Sequence, residues 1–227
     1  MPQVPDSSLV ITAYGWVPNF ARGMVRDLRP RWFCEEVGLD YSVRLISAMK
    51  RPDWYFEEQP FGQVPYVQDG DVGLFESGAI LLHLAEKHGH LLPEDGQARA
   101  DALAWLFAAF NSVEPIVFQL SAVNGFSAGE EWAKLRKPSL DETANQRFDR
   151  LAAGMEGREW LAGEEFSIAD IAMATTLREA DNNGMIATRP VLASYLERAL
   201  ARPAWKSALD AQFNDFDDSF APQKEGA

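Results

Sequence analysis

The sequence predicts an α/β domain of order βαβ followed by ββα, and after it an all-α C-terminal helical domain. Three observations carry this. Two short β-rich runs, Leu9–Tyr14 and Tyr41–Ile46, flank a helical stretch that closes at Gly38. Two further runs, Tyr66–Gln68 and Val72–Phe75, bracket Asp69-Gly70-Asp71, whose Asp-Gly pair is a strong hairpin signal, so these strands are expected to be antiparallel. Beyond Gly89 the apolar periodicity is helical throughout.

Taken in order, the first helix finishes through Glu35, Glu36 and Val37, because Gly38 suits the left-handed residue that ends a helix. Pro30 is tolerated only in a first turn, so this helix either starts near Arg29 or is kinked there. After the hairpin, Ile80, Leu81, Leu84 and His88 recur at helical spacing, which makes Ser77 a natural N-cap. Leu91–Gly96 reads as a linker, giving domains over 1–89 and 97–227 with a join at 90–96. A long periodic segment then runs from Gln97 to about Asn124. Further helices are expected at Leu140–Gly154, Ile168–Asp181, Val191–Ala201 and Ala204–Phe213, before a polar tail at 222–227. Ser167-Ile168-Ala169-Asp170 has the form of a capping box, which assigns Ser167 and Asp170 to stability.

Composition narrows the function. The 227 residues are 47% hydrophobic, enough for a sizeable core. The longest unbroken apolar runs, such as Ala102–Phe110, fall short of the roughly 18 residues a membrane span needs. The N-terminus lacks a basic segment followed by an apolar one, so secretion is not expected. One cysteine and three histidines exclude a disulfide framework and make a metal site improbable, which fits a reducing cytoplasm. A formal charge of −13 gives no footprint for nucleic acid or an anionic membrane surface. The charge is uneven, however. Arg22, Arg26, Arg29 and Arg31 form a local basic patch able to hold a small anion, while Asp215, Asp217 and Asp218 cluster near the end.

Five short pieces, in this order and spacing, resemble the cytosolic glutathione transferase family over nearly the whole chain: Leu9–Tyr14, Arg31–Leu39, Gly62-Gln63-Val64-Pro65-Tyr66, Phe75–Ile80 and Phe166–Asp170. The resemblance implies a thioredoxin-like N-terminal domain that binds glutathione and a helical domain that supplies the second-substrate pocket. It implies a cis bond before Pro65, so that the backbone of Val64 pairs with the cysteinyl backbone of glutathione like a short extra strand. It further implies that the γ-glutamyl ammonium pairs with Glu76, while the adjacent carboxylate sits on Ser77 at a helix N-terminus. Gln63 is placed to bond the same region, and Lys50 or Arg51 to reach the glycyl carboxylate.

The central task is thiol activation. A thiol of pKa near 8.5 is only about 3% thiolate at neutral pH, and lowering it by about two units requires ~2.7 kcal/mol of preferential thiolate stabilisation. The family supplies this from a Tyr, Ser or Cys between the first strand and first helix. Here Ala13–Phe33 contains no Ser, Thr or Cys, and Cys34 sits at the apolar end of the helix as a core residue. Tyr14, Asn19 and Arg22 remain as candidate donors, with Trp16 as a wall or indole donor.

The resemblance implies a transferase in which the glutathione thiolate attacks a small apolar electrophile. Trp16, Phe107, Phe110, Asn111 and Phe118 are the candidate pocket, although an aromatic stripe at helical spacing is often core. A homodimer is expected, with Asp101 a candidate to reach glutathione across its interface. A glutathione-dependent reductase, dehalogenase or isomerase uses the same thiolate, and a non-catalytic scaffold keeps the fold without the chemistry. No metal, nucleic-acid or membrane partner is expected.

Overall fold

The computed structural model describes residues 2–94 and 96–222. Chain packing divides them into two compact units, the first running to Lys87 and resuming at Arg202, the second spanning His88–Ala201.

In the first unit, β1 (Leu9–Tyr14) is followed by a single 3-10 turn at Asn19–Ala21 and by α1 (Leu28–Val37). Pro30 thus stands in the first turn of α1, where its missing N–H costs nothing, and Gly38 closes the helix at φ 69° with its N–H on the carbonyl of Cys34. Next come β2 (Ser42–Ile46), the short α2 (Tyr55–Glu58), β3 (Tyr66–Asp69), β4 (Val72–Phe75) and α3 (Ser77–His88). The sheet order is β2-β1-β3-β4. β1 runs parallel to β2 and antiparallel to β3, which forms the expected hairpin with β4. Ile11, Trp32, Phe33, Tyr41, Val67 and Leu84 are buried between sheet and helices.

The second unit is helical: α4 (Gly96–Ala108), α5 (Glu114–Ser121), α6 (Glu131–Met155), α7 (Ile168–Asn182) and α8 (Pro190–Leu200). Its core includes Leu106, Val117, Phe148, Ile171, Leu177 and Tyr195. The long segment expected over 97–124 is a continuous helical stretch, Gly96–Phe126, in which π turns at Ala109–Val113 and Ala122–Phe126 interrupt α4 and α5. At 31 residues, this stretch is long and apolar enough to cross a membrane by length and composition, which a count of unbroken apolar runs overlooks. Within its own unit, α4 and α5 pack on α7, as core helices do.

Three boundaries differ from the sequence expectation. α6 begins nine residues before Leu140 and carries Pro138 inside it, where the proline is exposed and solvent can satisfy the carbonyl it leaves free. Ser77 is the first residue of α3 and not its cap; the carbonyl of Glu76 accepts the first helical bond, from Ile80 N–H at 2.9 Å. Finally, α9 (Pro203–Asn214) groups with the first unit, although it follows the helical domain in sequence. Trp205 packs on Trp32 of α1 at a ring separation of 4.9 Å, and Arg202 Nε donates to Glu36 at 2.9 Å. Asp95 of the expected linker, and the expected tail beyond Pro222, lie outside the described residues.

Candidate active site

Strand register brings three motifs to one end of the sheet. Thr12 of β1 faces Tyr66 of β3, and Tyr66 faces Phe75 of β4. Tyr14 at the exit of β1, Val64-Pro65 at the entry of β3, and Glu76-Ser77 after β4 therefore share that end.

The Val64–Pro65 peptide bond is cis, as the resemblance implies. Val64 is buried as a side chain, yet among the described residues its backbone N–H and C=O have no hydrogen-bond partner. The segment before it is held from below, where the buried Tyr55 donates its hydroxyl to the carbonyl of Gln63 at 2.7 Å. Gln63 itself presents an exposed side chain. Val64 thus offers a backbone donor and acceptor just before β3, an arrangement able to pair with an extended peptide backbone.

Glu76 adopts φ 70°, in the left-handed region that a residue with a Cβ seldom occupies. That conformation costs roughly 1–2 kcal/mol, and such strain concentrates at functional sites. Its carboxylate is exposed. Ser77 beside it is buried, and Arg29 Nη1, from the first turn of α1, donates to Ser77 Oγ at 2.9 Å. The pair places a guanidinium behind the N-terminus of α3, where free N–H groups already favour an anion. The sequence places Arg29 in a basic patch near the start of a helix; its pairing with Ser77, 48 positions further along, appears only in the folded chain.

The candidate thiol activators are treated differently by the fold. Tyr14 spends its one O–H on the carbonyl of Gly62 at 3.1 Å and accepts from Arg51 Nη2 at 3.1 Å. Asn19 opens the 3-10 turn with Pro18 in the cap position; its side chain is exposed and makes no hydrogen bond among the described residues. Arg22 does not start a helix, since α1 begins six residues later. Its Nε lies 3.5 Å from the carbonyl of Val17, and its guanidinium stands 5.1 Å over the ring of Phe216. Trp16 is half-buried in the same loop. Cys34 is fully buried, and desolvation pushes its thiol well above the usual range, so it is a core residue.

Lys50 is exposed, its N–H bonded to Ser47 Oγ at 3.0 Å. In the second unit Phe107 and Phe118 are each 57% exposed and Asn111 is exposed, so these members of the stripe are not core; Phe110 is half-buried. Asp101 is bonded along α4 by Gln97 at 2.8 Å.

The glutathione S-transferase N-terminal domain matches residues 11–86 and the C-terminal domain residues 116–203. Glutathione S-transferase F14 of Arabidopsis thaliana is 30% identical over 76% of this chain and 75% of its own. The disulfide-bond oxidoreductase YfcG of Escherichia coli is 32% identical over 81% of this chain and 90% of its own. Among solved structures, a Burkholderia graminis glutathione transferase with two glutathione molecules bound per subunit is 27% identical, covering 89% of this chain and 88% of that one with a TM-score of 0.78. With both domains matched, in order and over most of its length, the chain belongs to the glutathione S-transferase family.

Proposed function

We propose that the protein binds glutathione across Val64, Glu76 and Ser77 and uses the loop between β1 and α1 to hold its sulfur as thiolate. The observation that carries this is the strained Glu76 beside a Ser77 hydroxyl backed by Arg29. One acid and one helix end match the ammonium and carboxylate of a γ-glutamyl group. Gln63, Val64 and Pro65 supply the middle of the site, and Lys50 or Arg51 faces the glycyl end.

Of the three candidate activators, Asn19 and Arg22 are favoured over Tyr14, whose proton is already committed to Gly62. An amide or guanidinium N–H stabilises a thiolate without itself ionising. The thiolate then attacks a small apolar electrophile. A carbon–sulfur bond forms, the leaving group departs with its electron pair, and the thiol proton passes to solvent. Glutathione is a co-substrate in this scheme, and the protein works as a cytoplasmic homodimer.

A second reading, glutathione-dependent disulfide exchange, is favoured by the similarity to the disulfide-bond oxidoreductase YfcG. There the thiolate attacks a disulfide, a thiolate leaves, and a second glutathione resolves the mixed disulfide.

Calorimetry with glutathione, paired with ultraviolet titration of the bound thiol, tests the proposal on wild type, Glu76→Ala, Asn19→Ala, Arg22→Ala and Tyr14→Phe. Glu76→Ala is expected to weaken binding about tenfold or more, Asn19→Ala or Arg22→Ala to raise the thiol pKa by about one unit, and Tyr14→Phe to leave it in place. No binding by wild type at millimolar glutathione would leave a non-catalytic scaffold as the better account. Turnover of an aryl halide against that of a small disulfide separates the two chemistries.

A further inference from the structure

The loop that carries Trp16, Asn19 and Arg22 has little structure of its own. Between Gly15 and Asp27 only one 3-10 turn interrupts it. The end of the chain holds it at both ends. Asp217 N–H donates to the carbonyl of Gly15 at 2.7 Å. The ring of Phe220 lies so close over Gly15 that a Cβ there would stand 2.5 Å from its Cδ2, so this approach requires the glycine. At the far end, the buried side chain of Gln212 accepts from Gly23 N–H at 3.0 Å and donates to Asp27 Oδ1 at 2.7 Å and to the carbonyl of Val25 at 3.3 Å. Between these anchors, Arg22 stacks on Phe216 at 5.1 Å and faces the exposed Asp218 at 3.8 Å.

The strap is itself pinned. Asp215 lies 2.6 Å from Arg31 Nη2, which is fully buried, and accepts from Gln3 Nε2 at 2.9 Å. Since α9 is fastened to α1 through Trp205 and Trp32, the segment leaving it has a fixed starting point. The Arg22–Asp218 pair is exposed and long and contributes little by itself. The weight falls on Gln212 and on the contact of Phe220 with Gly15.

We propose that the segment from Gln212 to Phe220 is a positioning strap for the thiol-activating loop: by fixing where Asn19 and Arg22 stand, it sets how strongly the site favours the thiolate of bound glutathione. The strap residues are not among those that hold glutathione's backbone, so they act through the loop. This rests on the reading above, that the loop activates the thiol of bound glutathione. A displacement of about 1 Å in preorganised donors is enough to lose most of their advantage.

Two variants break the same contact from opposite sides: Phe220→Ala removes the ring, and Gly15→Ala drives it off with a methyl group. Each is compared with wild type and Asn19→Ala and Arg22→Ala by glutathione calorimetry, ultraviolet titration of the bound thiol, and thermal melting. The expected result is a thiol pKa raised by about one unit in both strap variants, with the glutathione Kd changed less than about threefold. A purely structural role would lower the melting temperature without moving the thiol pKa. If Asn19→Ala or Arg22→Ala raises the pKa and neither strap variant does, the strap role is overturned and the loop's role stands. If no loop variant moves it, or wild type binds no glutathione, the functional reading fails and takes the strap with it.

Discussion

Arg29 Nη1 donates to Ser77 Oγ across 2.9 Å, with both side chains buried. A hydroxyl has one proton and two acceptor sites, and the guanidinium fills one of the latter. Among the described residues Ser77 Oγ donates to no group, so its proton is available to an anion at the N-terminus of α3. Ser77→Ala is therefore expected to weaken glutathione binding about tenfold, which is ~1.4 kcal/mol, read by calorimetry. It also takes an acceptor from a buried guanidinium, so urea unfolding should show a loss of about 1–3 kcal/mol.

Glu76 gives a test in which stability and function move in opposite directions. Its φ of 70° suits glycine. Glu76→Gly relieves roughly 1–2 kcal/mol of strain against about 0.5–1 kcal/mol of added chain entropy, so thermal melts should show a fold unchanged or up to ~1.5 kcal/mol more stable. The same variant should lose glutathione binding, and with it any upward shift of the melting temperature on adding glutathione. Lower stability would mean that the left-handed backbone is not strained here.

The parts legible in the sequence are those fixed by neighbours along the chain. Asp69-Gly70 announces its hairpin by local turn chemistry, Gly38 its helix end, and Ser167 with Asp170 its cap. What stayed hidden depends on distance or on a side chain that gives no local signal. Nothing about glutamate announces a left-handed backbone at position 76, and the pairing of Arg29 with Ser77 exists only once α1 and α3 are docked on the sheet. Gln212 is the clearest case. A polar residue near the end of a helix reads as solvent-facing, yet it is buried against Gly23, Val25 and Asp27, almost the whole chain away. The start of α6 was hidden too, because the helix runs through Pro138, whose exposure makes an internal proline tolerable.

Asp69 should give the first unit a step of stability in the acid range. Burial alone would raise its carboxyl, but Lys87 Nζ at 2.6 Å and His83 Nε2 at 2.9 Å outweigh that and hold it below the ordinary carboxylate range. Both partners lie on α3, so the cluster ties β3 to that helix. With a folded pKa below the unfolded 3.8, the contribution is complete above the unfolded value and is lost as pH falls through the folded one. Asp69→Asn should lose about 1–3 kcal/mol near neutral pH and flatten the stability profile below about pH 4, measured by urea unfolding across pH.

Asp170 is where the second unit has most to lose. Its buried carboxylate accepts four hydrogen bonds: from Ser167 N–H at 2.9 Å, Ser167 Oγ at 2.8 Å, Leu161 N–H at 3.0 Å and Tyr195 Oη at 2.9 Å. It thereby closes the capping box of α7 and joins it to α8 and to the turn at Leu161. Asp170→Ala leaves several buried donors unsatisfied at once and should cost about 3–5 kcal/mol. Asp170→Asn keeps an oxygen for Leu161 and Tyr195 but turns an amide toward the Ser167 N–H, so about half that loss is expected. Tyr195→Phe removes one bond and should cost about 1–2 kcal/mol, and combined with Asp170→Ala it should add almost nothing, since its partner is already gone. Urea unfolding of the four proteins completes this double-mutant cycle, and full additivity would mean that Asp170 does not hold the hydroxyl of Tyr195.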